Sequence, residues 1–476
     1  MIPYRKPLLG ESDEEIIKYI SSLIDDTAIV HEVLEVLMAH VHHLMHRDII
    51  SQDIGKKIID VLSELYKDPS PLFSMNVEDV HEAIELYLEK KLGKDAGWLA
   101  IAKSRNDHVA AAIRLKTKKL LIKLIDELLR FRTSLLRKAK EHLETLMPAF
   151  THLQPAQVST YAHYLTYIEE VLAIYTKLLL SIIRDVIDRS PLGACASTTT
   201  TIPIDRYELA YEAGFRDLVI NSIAATGSRE FLAIATAIST CLAVFISRIA
   251  EDMIIFSTPQ FNYINPNSKH LATSSIMPHK KNLVTMEIAR AWGGEAIGHL
   301  TALLTILKAL PSGYNLDLQE ATKHCIKVLQ RTISTLIIIR DFIERAEPNI
   351  QSMKRDVELY PITSTELIET MSLRLHKPYR ELHRKLASTI KNSQNFKEAL
   401  YKVFNDFDIY FLELKPPIEP KDSIYAKNHP GSPHPLSIKD YIVKAEKRIK
   451  EEYIELNVIE ENSKNKILYQ SKESVI

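Results

Sequence analysis

Ten consecutive residues, Thr273 to Asn282, place three hydroxyls, an imidazole, two lysines and an amide in one short stretch, TSSIMPHKKN. Side chains of these types so close together are suited to holding negative charge. A second group is Arg105 with Asn106, just before a long helical pattern, where a guanidinium fork and an amide can bind a carboxylate bidentately. A third is His152, which follows Thr151 and precedes Pro155 and so lies in a turn or at a helix start. His81 falls on the apolar side of its own helical pattern, a position for a core or supporting histidine.

The elements that must position these groups are long helices. Only 12 glycines occur in 476 residues, and Trp98 to Met147, Ala156 to Ser190 and Ser228 to Thr258 carry neither Gly nor Pro. A helix filling His108 to Met147 would run about 60 Å, which is bundle geometry. The chain length divides into two to four domains. Breaks at Asp68 to Pro71, Gly93 and Gly97 mark a small helical N-terminal unit over 1–103, with Asn76 as cap of a helix whose third position is Asp79. Val77, Val80, Ile84 and Leu88 then share one face of that helix. The apolar-periodic segments of 104–356 form the central bundle. Tyr360-Pro361, the cap cluster Thr363-Ser364-Thr365 and the Pro-rich Lys415 to Pro420 open a C-terminal unit over 357–476, whose polar tail from Glu460 to Ile476 frays.

Composition excludes several classes. Sixty basic residues against 61 acidic ones, with no basic tract, argue against a nucleic-acid partner. Cys195, Cys241 and Cys325 are odd in number and far apart, which argues against a disulfide framework or a cysteine zinc site, and for a reducing compartment. The first residues carry no apolar signal region, so the chain reads as cytoplasmic. Phe231 to Ser247 is a run of seventeen uncharged residues, short of the roughly 20 a membrane helix needs. It reads as a buried bundle helix, and no membrane partner is expected.

The opening stretch resembles the signature loop of the fumarase/aspartase superfamily, S-S-x-M-P-x-K-x-N, at Ser274, Ser275, Met277, Pro278, Lys280 and Asn282. Other segments are similar to the argininosuccinate lyase family in particular. These are Ser104-Arg105-Asn106-Asp107, the run from Thr151 to Gln157 (THLQPAQ), Glu78-Asp79-Val80-His81, the run from Tyr314 to Glu320 (YNLDLQE) and Ser190-Pro191-Leu192-Gly193. Weaker similarity around Asn428 to Pro435 reaches the C-terminal unit.

The resemblance implies an all-α, three-domain fold with a long central bundle, assembled as a homotetramer whose sites draw on three subunits. It implies cleavage of argininosuccinate to arginine and fumarate through an aci-carboxylate intermediate, with no metal or organic cofactor. Ser274 corresponds to the serine that takes the succinyl proton, with Lys280 and backbone amides stabilising its alkoxide and the growing carboxylate charge. His152 would protonate the departing guanidino nitrogen, and Glu287 corresponds to its carboxylate partner. Ser22, Arg105, Asn106, Thr151, Asn282, Tyr314 and Gln319 become substrate-positioning groups, supported by Asp79, His81 and Arg229.

Departures from the family pattern are local. Thr273 stands for the glycine before the serines and Leu283 for the proline after the asparagine, which would stiffen one end of the loop and free the other. Ala224 replaces an aspartate, Glu230 another, and Thr322 with Lys323 occupies the region of a substrate-binding lysine. His279 is a feature of adenylosuccinate lyases, which form one alternative; another fumarate-releasing lyase and a catalytically silent scaffold of the same fold are the others.

Overall fold

The computed structural model describes residues 8, 10, 13–406 and 416–464. Four helices come first: α1 (Glu14–Ile20), α2 (Val30–His46), α3 (Gln52–Lys67) and α4 (Val80–Leu92). The cap of α4 is Asp79, not Asn76: its carboxylate accepts the Glu82 backbone N–H at 2.8 Å, leaving Asn76 a turn upstream. Helix α5 (Arg105–Glu141) follows, 37 residues and about 55 Å long. It starts on a capping box in which the Ser104 hydroxyl accepts the Asn106 N–H at 3.3 Å and Asp107 accepts the Ser104 N–H at 3.0 Å. Arg105 and Asn106 are therefore the first residues of the helix rather than residues ahead of it. The helix ends at Glu141, short of Met147, which lies in a strand.

That strand, β1 (Leu146–Thr151), pairs antiparallel with β2 (Gln154–Thr160), a hairpin that the sequence reading did not foresee. Helix α6 (Tyr161–Ile182) returns along α5. Short elements come next: β3 (Arg189–Ser190), α7 (Arg206–Glu212), β4 (Asp217–Leu218) and α8 (Ser222–Gly227). Helix α9 (Glu230–Phe256) then runs the bundle's length and leads through β5 (Ile264–Asn265), β6 (Ala272–Thr273) and β7 (Lys281–Asn282) into α10 (Val284–Leu307) and α11 (Asp317–Arg345). The fold is all-α, with two-stranded ribbons confined to the turns between helices.

After β8 (Glu347–Pro348), α12 (Ile350–Leu359) leads to α13 (Ser364–Leu375), α14 (Tyr379–Lys391) and α15 (Phe396–Asp406). These last three carry a small core of their own, including Leu367, Met371, Leu386 and Phe404. Beyond α16 (Pro420–Ala426), the final helix α17 (Pro435–Asn462) instead joins the main core, which runs from Leu23 to Leu456. Glu460 to Asn462, assigned to a fraying tail, are helical; 465–476 and Lys415 lie outside the described residues.

A buried ion cluster fastens α17 to the bundle. Arg132 of α5 holds Glu169 of α6 at 2.9 Å and Glu452 of α17 at 2.5 Å, and Arg448 reaches Glu169 at 3.2 Å. Arg132 and Glu169 are fully buried, so removing either strands a charge without solvent. Glu169→Ala is expected to lower stability by about 3–5 kcal/mol, read as an earlier guanidinium unfolding midpoint.

Helix α9 is the one described helix long and apolar enough to cross a membrane, at a mean hydropathy of 1.9. One face packs against α10 and α11 in the core, including Leu232, Ala235, Leu242 and Ile246. Outward apolar side chains remain on α6, α10 and α11, among them Ile174, Ile288, Ile297, Leu304 and Ile337.

Candidate active site

The site residues collect at two ends of the bundle. At the first, a cavity of about 230 Å³ opens between the segment after α1, the start of α4, the approach to α9 and the first turns of α11. Ser22, Asp79, His81, Arg229, Tyr314 and Gln319 all line it. Arg105 stands beside it, its Nη1 3.1 Å from Asp79 and 3.2 Å from Glu78. Burial disfavours the Arg105 charge, but the two carboxylates outweigh it and hold the guanidinium above its usual range. Burial, with Arg105 and Lys103 nearby, drives His81 well below the ordinary histidine value. His81 is thus neutral, a packing and positioning group.

Arg229 is the most suggestive of these groups chemically. Its Nη1 donates to the carbonyls of Thr226 at 3.1 Å and Ser228 at 2.9 Å, while buried Nε and Nη2 have no partner. That unpartnered edge is the fork a carboxylate fills. Burial pushes the guanidinium down to about 10, with Tyr314 and Glu230 opposing, and it remains charged at neutral pH. The approach is tight: a Cβ on Gly227 would lie 2.5 Å from the Gly313 carbonyl oxygen, so only glycine lets the Arg229 turn close on the Tyr314 turn.

One cavity residue escaped the sequence reading and another was left unassigned by it. Asp26 accepts the Ser22 hydroxyl at 2.9 Å and the Val80 N–H at 3.1 Å, and burial lifts its carboxyl to about 7 against those bonds. Ser22 and Asp26 are one helical turn apart, a visible signal, but Val80 comes from a distant segment. Thr322 also lines the cavity, with a buried Oγ1 that has no partner, whereas Lys323 is engaged by Glu320 and by Asp25 at 3.6 Å. Gln319 donates to the Ile20 carbonyl at 3.1 Å and ties α11 to the N-terminal segment.

At the other end, the β1–β2 hairpin carries Thr151 and His152 on its exposed tip. His152 and Leu153 have φ of 55° and 57°, a left-handed conformation uncommon outside glycine and enriched at functional turns. Phe150 anchors the hairpin against Phe256, the last residue of α9, and against Phe261 and Tyr263 beyond it. The β6–β7 ribbon frames the signature loop by pairing Ala272 with Asn282 and Thr273 with Lys281. Within it, the Ser274 hydroxyl accepts the backbone N–H groups of Ile276 at 3.3 Å and Met277 at 3.2 Å. Two N–H dipoles aimed at one hydroxyl oxygen stabilise negative charge there. Buried His270 pins the base of the loop, bonding Thr285 at 3.0 Å and Asp341 at 3.1 Å. Lys280 and Glu287 are exposed, and among the described residues no ion pair joins Glu287 to His152.

Arg229 precedes α9 and the signature loop follows it, so the 27-residue helix separates the two groups by about 40 Å. Helix α10 carries the chain back, returning Tyr314 and Gln319 to the cavity end. Within a single chain the candidate groups thus fall into two separated sets.

The fold resembles that of an EDDS lyase solved in complex with formate (TM-score 0.86, 23% identity, 97% of this chain and 95% of that one). It also resembles a class II fumarase from Schistosoma mansoni (TM-score 0.70, 15% identity, 84% and 91%). These likenesses define an all-α lyase fold of the fumarase/aspartase kind. A family model described as Lyase matches residues 10–298. Argininosuccinate lyase from Pyrococcus furiosus is 44% identical over 98% of this chain and 99% of its own length. That from Sulfurisphaera tokodaii is 37% identical over 97% and 96%. The chain belongs to the argininosuccinate lyase family.

Proposed function

We infer that this protein is a lyase that cleaves argininosuccinate to arginine and fumarate. The observation that carries the mechanism is the Ser274 hydroxyl under two backbone N–H groups, in a loop that also presents Lys280 and Asn282. Ser274, as alkoxide, takes the proton from the succinyl carbon next to a carboxylate. The electron pair left behind delocalises into that carboxylate as an aci-carboxylate, held by Lys280 and Asn282. The pair then returns to form the carbon–carbon double bond as the carbon–nitrogen bond breaks. His152, paired with Glu287 of the assembled site and set beside Thr151, protonates the leaving guanidino nitrogen. Arg105 and Asn106 position a succinyl carboxylate.

The cavity is the receptor for the amino-acid end of the arginine moiety in this reading. Arg229 offers its open fork to the α-carboxylate, Asp26 faces the ammonium, and Ser22, Tyr314, Gln319 and Thr322 supply neutral hydrogen bonds. Substrate ammonium favours the ionised Asp26, whose carboxyl sits at about 7 in the free protein. Above that pH the carboxylate is already formed; below it a proton must first leave. KM is therefore expected to rise as pH falls through about 7, and Asp26→Asn to flatten that dependence while raising KM roughly ten- to a hundredfold. Steady-state kinetics across this range check both.

The assembly is a homotetramer in the cytoplasm in which half-sites from neighbouring chains meet. What supports this is the opposite placement of the half-sites and the outward Ile and Leu side chains along α6, α10 and α11, which matching helices of other chains would cover. The direct test mixes purified protein with argininosuccinate and follows fumarate by ultraviolet absorption, with adenylosuccinate in parallel. Release from the first alone is expected; silence with both would mean a scaffold.

A further inference from the structure

The stretch that carries Ser274 and Lys280, residues 274–280, leaves and re-enters the fold through a β6–β7 ribbon of only two residue pairs. A two-stranded ribbon is marginal on its own even at greater length. The loop packs little of itself away: Ile276 is 84% exposed and Met277 37%. Thr273 stands at its entry and Leu283 at its exit, so no proline fixes the backbone where the chain enters α10. Another group must hold the two arms.

That group is His270, buried and two residues ahead of β6. Its Nδ1 lies 3.0 Å from the hydroxyl of Thr285, in the first turn of α10, and its Nε2 lies 3.1 Å from Asp341 Oδ2 on α11. One imidazole thus joins the entry arm, the exit arm and the bundle. The Asp341 carboxylate is fixed in turn by Arg345, whose Nε donates to Oδ1 at 2.7 Å, and the ring stands edge-on to Phe342 with centroids 5.2 Å apart. A carboxylate only accepts, so Nε2 carries the proton and donates to Asp341, while Nδ1 accepts from the Thr285 hydroxyl. Burial holds the ring below the usual histidine range against the pull of Asp341, so at neutral pH it bears that single proton. With both nitrogens committed, His270 has none left for a reacting group and acts through the loop.

We propose that His270 is the positioning residue of the signature loop: its bonds to Thr285 and Asp341 hold the two arms at the spacing that keeps the Ser274 hydroxyl under the Ile276 and Met277 N–H groups. The proposal rests on the reading of Ser274 as the proton acceptor. The same bond seats the first turn of α10, which carries Glu287 two residues beyond Thr285. A loop displaced by about 1 Å loses the approach of base to carbon, an effect worth up to about a hundredfold in rate. The cavity that receives the arginine moiety lies at the other end of α9, so kcat suffers far more than KM.

The test uses the full-length protein, first without substrate and then with argininosuccinate. In His270→Ala, amide hydrogen exchange in peptides spanning 271–284, read by mass spectrometry, is expected to be at least about tenfold faster than in the parent, with exchange in α5 and α6 unchanged. kcat is expected to fall by about 10- to 100-fold, with KM changed by less than about threefold. His270→Asn, whose amide reaches Thr285 but not Asp341, should recover part of the lost kcat, and no gain over alanine would overturn the proposed tie. Thr285→Val, which cuts the same tie from the other arm, serves if His270→Ala does not fold. Exchange no faster than in the parent overturns the proposal, whatever Ser274→Ala does. Faster exchange with parental kcat overturns it too, and Ser274→Ala then shows what failed: an inactive control faults the role of His270 alone, an active one the reading of the loop.

Discussion

Replacing Ser274 with alanine is expected to lower kcat by about three orders of magnitude or more, with KM changed only a few-fold. The hydroxyl is the sole atom in the loop that receives two backbone N–H groups, and its loss removes the proposed proton acceptor without disturbing the β6–β7 pairing. Secondary structure and oligomeric state should match the parent, because Ser274 makes no contact that holds the core. Turnover within a few-fold of the parent would show that another group takes the proton.

A second result follows from the separation of the half-sites. Arg105→Gln and Ser274→Ala should each be inactive, yet activity is expected to return when the two variants are denatured together and refolded as mixed tetramers. In the proposed assembly each complete site needs Arg105 from one chain and Ser274 from another. Equal mixing leaves both intact in about a quarter of the sites, so recovery near a quarter of parental activity is expected. Each variant refolded alone is the control. Mixed tetramers that form but stay inactive would place both residues in one chain's contribution.

What the sequence disclosed depended on how local each signal was. Helix α5 was visible because its cap, Ser104 with Asp107, and its run without Gly or Pro all lie in one segment. The signature loop was visible for the same reason. The β1–β2 hairpin was not: Pro155 indicated only a turn or helix start at His152, and nothing in a His-Leu pair announces two left-handed residues. Asp26 was missed because its burial and its bond to Val80 are contributed by distant segments of the chain.

The spacing set by α9 also bears on how output scales with protein level. On the proposed assembly, a lone folded chain, with its two candidate sets about 40 Å apart, would turn nothing over. Specific activity should therefore collapse on dilution below the concentration at which chains associate, even while the helices stay folded. Newly made chains would then remain silent until they met partners, and a poorly expressed gene copy would yield less than its proportional share of product.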